Sequence, residues 1–247
     1  MCRRDPASAA AETLVLERDV LSANDARAAV LRDRFQTAQT HVINVVSSPG
    51  SGKTSLLTRL LGDLVDGGIR AAALVADCAT DNDAVRLGAC GAPVRQIVTD
   101  SQCHLEAGVI EDHLAAWSAE GLALRDIDVL VIENIGNLVC PAGFDLGEAE
   151  RWVMLSVTEG EDKPLKYPAM FAGADLAVVT KVDLAEPCRF DRSSALAAIQ
   201  TVNPGADIVQ TSAFTGDGCD VLTARLRDAV DRHADAARQP EPSAVTT

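Results

Sequence analysis

Short apolar runs alternate with longer mixed segments along most of the chain. The runs are rich in valine and isoleucine, and each is separated from the next by a segment that can carry a helix. They are VINVV (42–46), AAALVA (71–76), VRQIV (94–98), DVLVIE (128–133), LAVVT (176–180) and DIVQT (207–211). This alternation predicts an α/β fold, in which a mostly parallel sheet is joined by helical crossovers and covered in three layers.

The two ends of the chain differ from this pattern. Residues 10–38 place apolar and charged positions at helical spacing with no proline or glycine, which predicts one or two amphipathic helices. The last ten residues contain two prolines and show no periodicity. We therefore predict an N-terminal helical extension over 1–38, one α/β domain over 39–237 and a disordered tail over 238–247.

Composition narrows the function classes. The chain has 247 residues, which suits one α/β domain, and its 47% hydrophobic but only 3% aromatic content predicts a core of Ala, Val, Leu and Ile. A formal net charge of -14 disfavours nucleic-acid binding. There is no apolar stretch of the length a membrane span needs and no signal-peptide pattern, so we expect a cytoplasmic protein. The seven cysteines are irregularly spaced, which favours reduced thiols over a disulfide framework.

The first predicted strand runs into SSPGSGKTSLL (47–57), the pattern of a phosphate-binding loop. Backbone N–H groups of such a loop point at phosphates, Lys53 reaches the β and γ phosphates, and the Thr54 hydroxyl faces Mg²⁺. Ser47 stands where the general motif has its first glycine, so the backbone at 47 must be one that a serine adopts. The predicted phosphate contacts are Gly50, Ser51, Gly52, Lys53, Thr54 and Ser55.

Two further strand ends complete this site. Glu133 ends the strand DVLVIE, where a carboxylate can hold Mg²⁺ and its water shell, and Gly136 after it can offer an N–H to the γ phosphate. Asp77 ends the strand at 71–76 and leads into the acidic loop CATDND, which we interpret as a nucleotide-sensitive switch, although Asp81 and Asp83 also fit a solvated surface. The predicted catalytic set is Lys53, Asp77, Glu133 and Gly136, and the predicted Mg²⁺ ligands are Thr54, Asp77 and Glu133.

The segments TKVD (180–183) and TSAFTGDG (211–218) predict recognition of guanine. Asp183 can accept both N–H groups of the guanine edge, the stem of Lys181 can cover the ring, and the backbone N–H of Ala213, next to Ser212, can donate to the guanine carbonyl. Together they favour GTP over ATP. Thr180 replaces the asparagine of the usual NKxD, which alters part of the buried hydrogen bonding that braces the site.

SQCHLEAG (101–108) places a cysteine directly against a histidine at the start of a predicted helix. Cys103 and His104 follow one strand and Cys140 follows another, so all three open onto the edge that carries the phosphates. Two thiolates and an imidazole suit Zn²⁺ or Ni²⁺, although a buried cysteine is more often simply a small apolar residue. Three ligands leave the site incomplete, and a second copy of the chain would supply more.

Five segments together resemble the hydrogenase nickel-incorporation GTPase family (HypB), within the SIMIBI class of P-loop GTPases. They are SSPGSGKTSLL, TDNDAVRL, CHLEA, IENIGNLVCPAGFDLGE and SVTEGEDKPLKYPAMF, and the similarity runs from about residue 40 to 220. The resemblance implies a P-loop NTPase fold with GTP or GDP and Mg²⁺ as cofactors.

The resemblance also implies a mechanism and partners. GTP binding would promote a homodimer, Cys103, His104 and Cys140 would ligate Ni²⁺ or Zn²⁺ at or near its interface, and slow hydrolysis would release the metal. The family delivers nickel to the large subunit of [NiFe] hydrogenase, with a small zinc-containing nickel chaperone (HypA) as partner.

The N-terminus departs from many members of this family. Those members begin with a CxxCxC cluster or carry a histidine-rich stretch, whereas here Cys2 is followed by Asp5 and Ala7 at the other ligand positions. We predict no tight N-terminal nickel site and no nickel storage. The alternatives are an accessory GTPase for urease, a P-loop kinase for a small molecule, and a metal buffer, for which the chain has too few Cys and His.

Overall fold

The computed structural model describes residues 6–77, 82–99 and 102–238. In this part of the chain seven strands form one parallel sheet in the order β3-β2-β4-β1-β5-β6-β7. The strands are β1 His41–Ser47, β2 Ala71–Asp77, β3 Val94–Val98, β4 Val129–Gly136, β5 Glu150–Ser156, β6 Leu176–Thr180 and β7 Asp207–Gln210. Because β1 lies in the middle of a parallel sheet, the loop that follows it reaches the edge where the other strands end.

Eight α-helices connect or flank these strands in the described residues. They are α1 Pro6–Ala38, α2 Lys53–Asp66, α3 Asn82–Gly88, α4 Ala107–Ala119, α5 Lys163–Lys166, α6 Pro168–Ala172, α7 Arg192–Val202 and α8 Cys219–Arg238. Short 3₁₀ turns lie at Leu124–Asp126, Cys140–Gly143 and Val182–Leu184. Within the same ranges, none of the helices combines the length and the apolar character needed to cross a membrane.

The sheet is buried on both faces, which explains why its strands read as continuous apolar runs. All seven residues of β1 are buried. Ile43 and Val45 pack into a cluster with α2 and α8, whereas Val42 lies on the opposite face in a cluster with α1 and α4. A third cluster joins β5 and β6 to α6 and α7. The arrangement is the three-layer α/β fold that the sequence predicts.

Three details differ from the sequence-based prediction. Strand β5 was not predicted, because its run WVML is short and follows the charged pair Glu150 and Arg151. The N-terminal segment forms a single helix, as one of the two predicted possibilities had it, but this helix begins at Pro6 rather than at residue 10. Helix α4 begins at Ala107, so Cys103 and His104 lie in the loop before it. The predicted tail lies outside the described residues except Arg238, which ends α8.

The edge of the sheet opposite the phosphate loop is held by a buried carboxylate. Glu150, at the start of β5, accepts hydrogen bonds from Arg225 Nε (2.7 Å) and Trp152 Nε1 (2.9 Å), and His41 Nε2 lies 3.5 Å from it. Burial raises the pKa of Glu150, but the hydrogen bonds from His41, Trp152 and Arg225 outweigh it and lower the pKa from 4.5 to about 2. The ionised form therefore ties β1, β5 and α8 together.

This shift predicts a pH dependence of stability. A depressed carboxyl pKa contributes stability above the unfolded value of 4.5 that is lost as the pH falls towards about 2. We expect Glu150→Gln to be less stable than wild type at neutral pH and the difference to shrink across this window. Chemical unfolding at a series of pH values measures it. A difference that stays constant down to the acid end would contradict the role of the Glu150 charge.

Candidate functional site

A cavity of about 550 Å³ opens where β1 and β4 end. The loop after β1 and the first residues of α2 form one wall, and the end of β4 forms another. The N-terminus of α2 is at this wall, so the positive end of its dipole favours an anion in the cavity. Among its lining residues are the predicted phosphate contacts Gly50, Ser51, Gly52, Lys53, Thr54 and Ser55, together with Glu133, Gly136 and Lys181.

Ser47, which replaces the first glycine of the motif, has a role in this loop. It does not take a positive φ and is fully buried. Its hydroxyl accepts hydrogen bonds from Lys53 Nζ (2.8 Å) and Ser51 Oγ (2.5 Å) and donates to the Ser48 carbonyl (2.8 Å). One hydroxyl thus uses its donor and both acceptor positions and holds Lys53 in the phosphate loop.

Thr54 and Glu133 fit a magnesium ion. The Thr54 hydroxyl donates to Glu133 Oε1 at 2.8 Å, and both side chains are buried beside the cavity. Hard oxygen donors of this kind, with phosphate oxygens and water, are the ligands that Mg²⁺ takes in nucleotide sites. The backbone of Asp77 ends β2, and its side chain is outside the described part of the structure, as are Asp81, Cys78 and Cys2.

A second cavity of about 410 Å³ adjoins the first. Thr180 donates its buried hydroxyl to the Ser51 carbonyl at 2.8 Å, so the threonine at the asparagine position does brace the phosphate loop. Lys181 donates to the Gly50 carbonyl at 2.6 Å, which lays its stem along the cavity. The predicted base contacts Lys181, Asp183, Ser212 and Ala213 all line this second cavity.

The predicted soft-metal ligands occupy two neighbouring loops. Cys103 Sγ lies 3.6 Å from His104 Nδ1, and the His104 ring stacks on Phe144 with centroids 3.9 Å apart. Cys140 is half-buried at the start of a 3₁₀ turn after β4. Within the described residues, no three Cys, His, Asp or Glu side chains lie close enough to hold a metal ion. One chain therefore presents Cys103 and His104 side by side and Cys140 separately.

One side chain that the sequence analysis did not single out joins these loops. Asn137 Nδ2 donates to the Cys103 carbonyl (3.3 Å), and Asn137 Oδ1 accepts from the Val139 N–H (2.8 Å). The preceding residue, Gly136, lines the 550 Å³ cavity beside the phosphate loop, which is called the phosphate cavity from here on. The hydrogen bond between Asn137 and Cys103 could not be predicted from sequence spacing. The sequence does show that Gly136, at the nucleotide site, is only four residues from the predicted metal ligand Cys140.

The loop beyond Cys140 is fixed from the other side. Arg151 donates to the carbonyls of Ala142 (3.2 Å) and Phe144 (2.8 Å) and forms a buried ion pair with Glu148 at 2.7 Å. Burial raises the pKa of Asp145, but the hydrogen bonds from Arg32 and the Gly147 N–H, with the charge of Arg32, together outweigh it and hold the pKa below its usual range. The sequence analysis also did not single out Arg86, which lines the phosphate cavity together with Asp83.

Comparison with known proteins decides the family. A sequence model described as CobW/HypB/UreG, nucleotide-binding domain, matches residues 41–210. The chain belongs to this CobW/HypB/UreG family. The HypB resemblance predicted from sequence is also supported by the hydrogenase maturation factor HypB of Rhizobium leguminosarum bv. viciae, which is 47% identical over 219 residues, 89% of this chain and 71% of that protein.

Two further HypB proteins extend the comparison. The hydrogenase/urease maturation factor HypB of Helicobacter pylori (strain ATCC 700392 / 26695) is 43% identical over 189 residues, 76% of each chain. The crystal structure of HypB from Helicobacter pylori in complex with nickel superimposes with a TM-score of 0.79 at 38% identity, covering 89% of this chain and 99% of that one. The predicted family and fold are therefore confirmed.

The contact from Thr180 to the phosphate loop generates a prediction for the HypB-type nucleotide site. Thr180→Val keeps the side-chain volume but leaves the Ser51 carbonyl without its donor, a loss that costs about 1–3 kcal/mol when the group is buried. We expect GDP affinity to fall by about tenfold, measured by calorimetry. Thr223→Val is the matched control, because Thr223 donates to the Cys219 carbonyl within α8, away from the site. Equal GDP affinity for wild type and Thr180→Val would contradict the role of Thr180.

Proposed function

We propose that the protein is a GTPase that delivers nickel for maturation of [NiFe] hydrogenase. The observation that carries this proposal is the continuity of the two sites. Gly136 lines the phosphate cavity, and Asn137 directly after it is hydrogen-bonded to the loop that bears Cys103 and His104. The names of the HypB relatives and the nickel in one of their crystal structures support the same assignment.

In this proposal GTP occupies both cavities. The phosphates lie against the phosphate loop and Lys53, and the guanine lies beside Asp183 and the Lys181 stem. Mg²⁺, when bound, neutralises charge on the β and γ phosphates. Thr54 and Glu133 would hold that ion, and the Gly136 N–H would donate to the γ phosphate. Hydrolysis to GDP and phosphate removes the group to which Gly136 donates.

Nickel is the cargo, and Zn²⁺ suits the same ligands. Cys103 and Cys140 as thiolates and His104 through an imidazole nitrogen form the donor set from one chain. Because this set is incomplete, pairing of two chains in the GTP state would supply the remaining ligands. The proposed partners are a second copy of this chain, a HypA-like nickel chaperone and the large subunit of [NiFe] hydrogenase, in the cytoplasm.

The fixed and movable parts of the loop suggest how nucleotide controls the metal. Arg151 holds the loop from Ala142 onward, whereas the stretch from Gly136 to Val139 is held by the hydrogen bonds of Asn137 and by the buried side chain of Leu138. Cys140 lies between these parts. A change at Gly136 would therefore move Asn137 and Cys140 relative to Cys103, and loss of the γ phosphate would loosen the metal.

A role in urease maturation is the second candidate. It is favoured by the Helicobacter pylori relative whose name includes both hydrogenase and urease. Metal and nucleotide binding would be the same in both cases, so the two functions differ only in the acceptor. Transfer of nickel from the loaded protein to each purified apo-enzyme distinguishes them.

The first experiment measures nickel affinity with GDP and with a non-hydrolysable GTP analogue, following oligomeric state by light scattering. We expect both to depend on the nucleotide. Cys140→Ala should weaken nickel binding by more than about tenfold, since loss of even an outer partner of a ligand costs about 10–100-fold. GDP affinity should be unchanged. The proposal would be refuted if nickel affinity were the same with GDP and with the GTP analogue and were also unchanged in Cys140→Ala.

A second variant tests the link itself. Asn137→Ala removes the hydrogen bonds to Cys103 and Val139 but no metal ligand, so we expect the ratio of nickel affinities in the two nucleotide states to approach one. Coupling between sites is typically about 5–150-fold, which sets the size of the loss. Val139→Ala is the control, because its exposed side chain lies in the same segment. Full coupling in Asn137→Ala would show that the link runs elsewhere.

A further inference from the structure

Helix α1 packs directly against both loops that carry the predicted metal ligands. Ala28 and Leu31 are fully buried in one apolar cluster with Leu105, which follows His104, and with Leu146, which follows Cys140 by six residues. Gly147 approaches α1 so closely that a Cβ there would lie 2.7 Å from the Ala28 carbonyl oxygen. Helix α1 is therefore the surface against which both metal-ligand loops pack.

A single buried amide on α1 connects the two loops. Asn24 is 4% exposed. Its Oδ1 accepts from the Ala107 N–H and its Nδ2 donates to the Asp145 carbonyl, both at 2.8 Å. Ala107 begins α4 three residues after His104, and Asp145 follows Phe144, whose ring stacks on His104. The side chain thus joins the backbone just after the Cys103 and His104 pair to the backbone of the loop beyond Cys140.

Arg32 strengthens the same attachment about two helical turns further along α1. Its guanidinium lies 2.7 Å from both carboxylate oxygens of Asp145, and Asp145 also accepts the Gly147 N–H at 2.8 Å. Both contacts come from the single nitrogen Nη2, so they fix the distance of the Asp145 carboxylate from α1. Asp145 is therefore held by its carbonyl to Asn24 and by its carboxylate to Arg32, and its backbone cannot shift relative to α1 without breaking these bonds.

We propose that Asn24 is a positioning residue for the metal site. It sets the spacing between the loop bearing Cys103 and His104 and the loop bearing Cys140, without touching the metal. The inference rests on the proposed function, because it takes these three residues as the nickel ligands. It goes beyond that function by making the helix at the N-terminal end of the chain part of the metal site.

Asn203 provides a matched control for a purely structural role. Its Oδ1 accepts the Gly205 N–H at 3.2 Å, and its Nδ2 donates to the Ala174 carbonyl at 2.8 Å. Like Asn24, it uses both ends of its amide, one within its own loop and the other to tie that loop to the segment at Ala174. Asn203 lies just after α7 and before β7, at the sheet edge opposite the site. A general loss of stability would appear in both variants, whereas a metal effect would appear only at Asn24.

The experiment compares nickel dissociation constants, with Ni²⁺ alone as the probe, for wild type, Asn24→Ala, Asn203→Ala and Cys140→Ala. GDP affinity and thermal midpoint are measured on each. We expect Asn24→Ala to bind nickel about tenfold more weakly, as for loss of a group that orients ligands, with GDP affinity unchanged. Asn203→Ala should keep wild-type nickel affinity although its thermal midpoint falls.

Each other outcome overturns the inference in a distinguishable way. If only Cys140→Ala weakens nickel binding, Asn24 has no positioning role and the proposed function stands. If neither Asn24→Ala nor Cys140→Ala weakens nickel binding, the proposed metal site and the inference both fail. If GDP affinity falls in parallel with nickel affinity, Asn24 acts on general stability.

A second variant keeps the test decisive if Asn24→Ala does not fold. Asn24→Asp retains the acceptor for the Ala107 N–H, but it replaces the donor to the Asp145 carbonyl with a negatively charged oxygen that repels it. We expect weaker nickel binding with GDP affinity unchanged, and wild-type nickel affinity in this variant would overturn the inference.

Discussion

The close contact between Gly136 and Pro49 is the constraint on which both sites depend. A Cβ at Gly136 would lie 3.0 Å from the Pro49 Cα, closer than most real Cβ contacts, so the neighbouring backbone would have to move. Pro49 belongs to the phosphate loop, and Gly136 ends the strand that carries Glu133. Because packed protein segments have little free volume, a shift of one of them moves the other. The segment that leads to Cys140 therefore packs directly against the phosphate loop even when no nucleotide or metal is bound.

Much of this arrangement follows from local sequence. The phosphate loop, the strand ends at Glu133 and Thr180 and the alternating apolar runs are short-range patterns, and in a parallel sheet they necessarily meet at one edge. The α/β fold and the HypB family were accordingly predicted correctly. The cavities also gather the predicted nucleotide contacts whose side chains the structure describes. The assignment of metal ligands stays a prediction, since within the described residues one chain does not assemble them.

What the sequence did not reveal depends on long-range hydrogen bonds. Asn24 contacts Ala107 and Asp145, 83 and 121 residues away, and no local pattern specifies such partners. A weak signal existed, because Asn24 shares a helix face with Ala28, Leu31 and Phe35, all of them buried. A polar residue on an apolar face must find partners or carry a desolvation cost. Strand β5 was missed for a different reason, since its apolar run is short and follows two charged residues.

The hydrogen bonds that hold the loop around Cys140 differ in strength. Stronger ones fix the part of the loop beyond Cys140, and weaker ones hold the part before it. A neutral hydrogen bond contributes about 0.5–1.5 kcal/mol and one to a charged group about 1.5–3 kcal/mol. The solvent-exposed contacts of Asn137 are of the first kind, whereas Arg32 and Arg151 hold the loop beyond Cys140 through charged groups. A tenfold change in metal affinity requires about 1.4 kcal/mol. Rearranging the Asn137 contacts alone therefore suffices to alter metal affinity, and the frame held by α1 and β5 can stay in place while it does so.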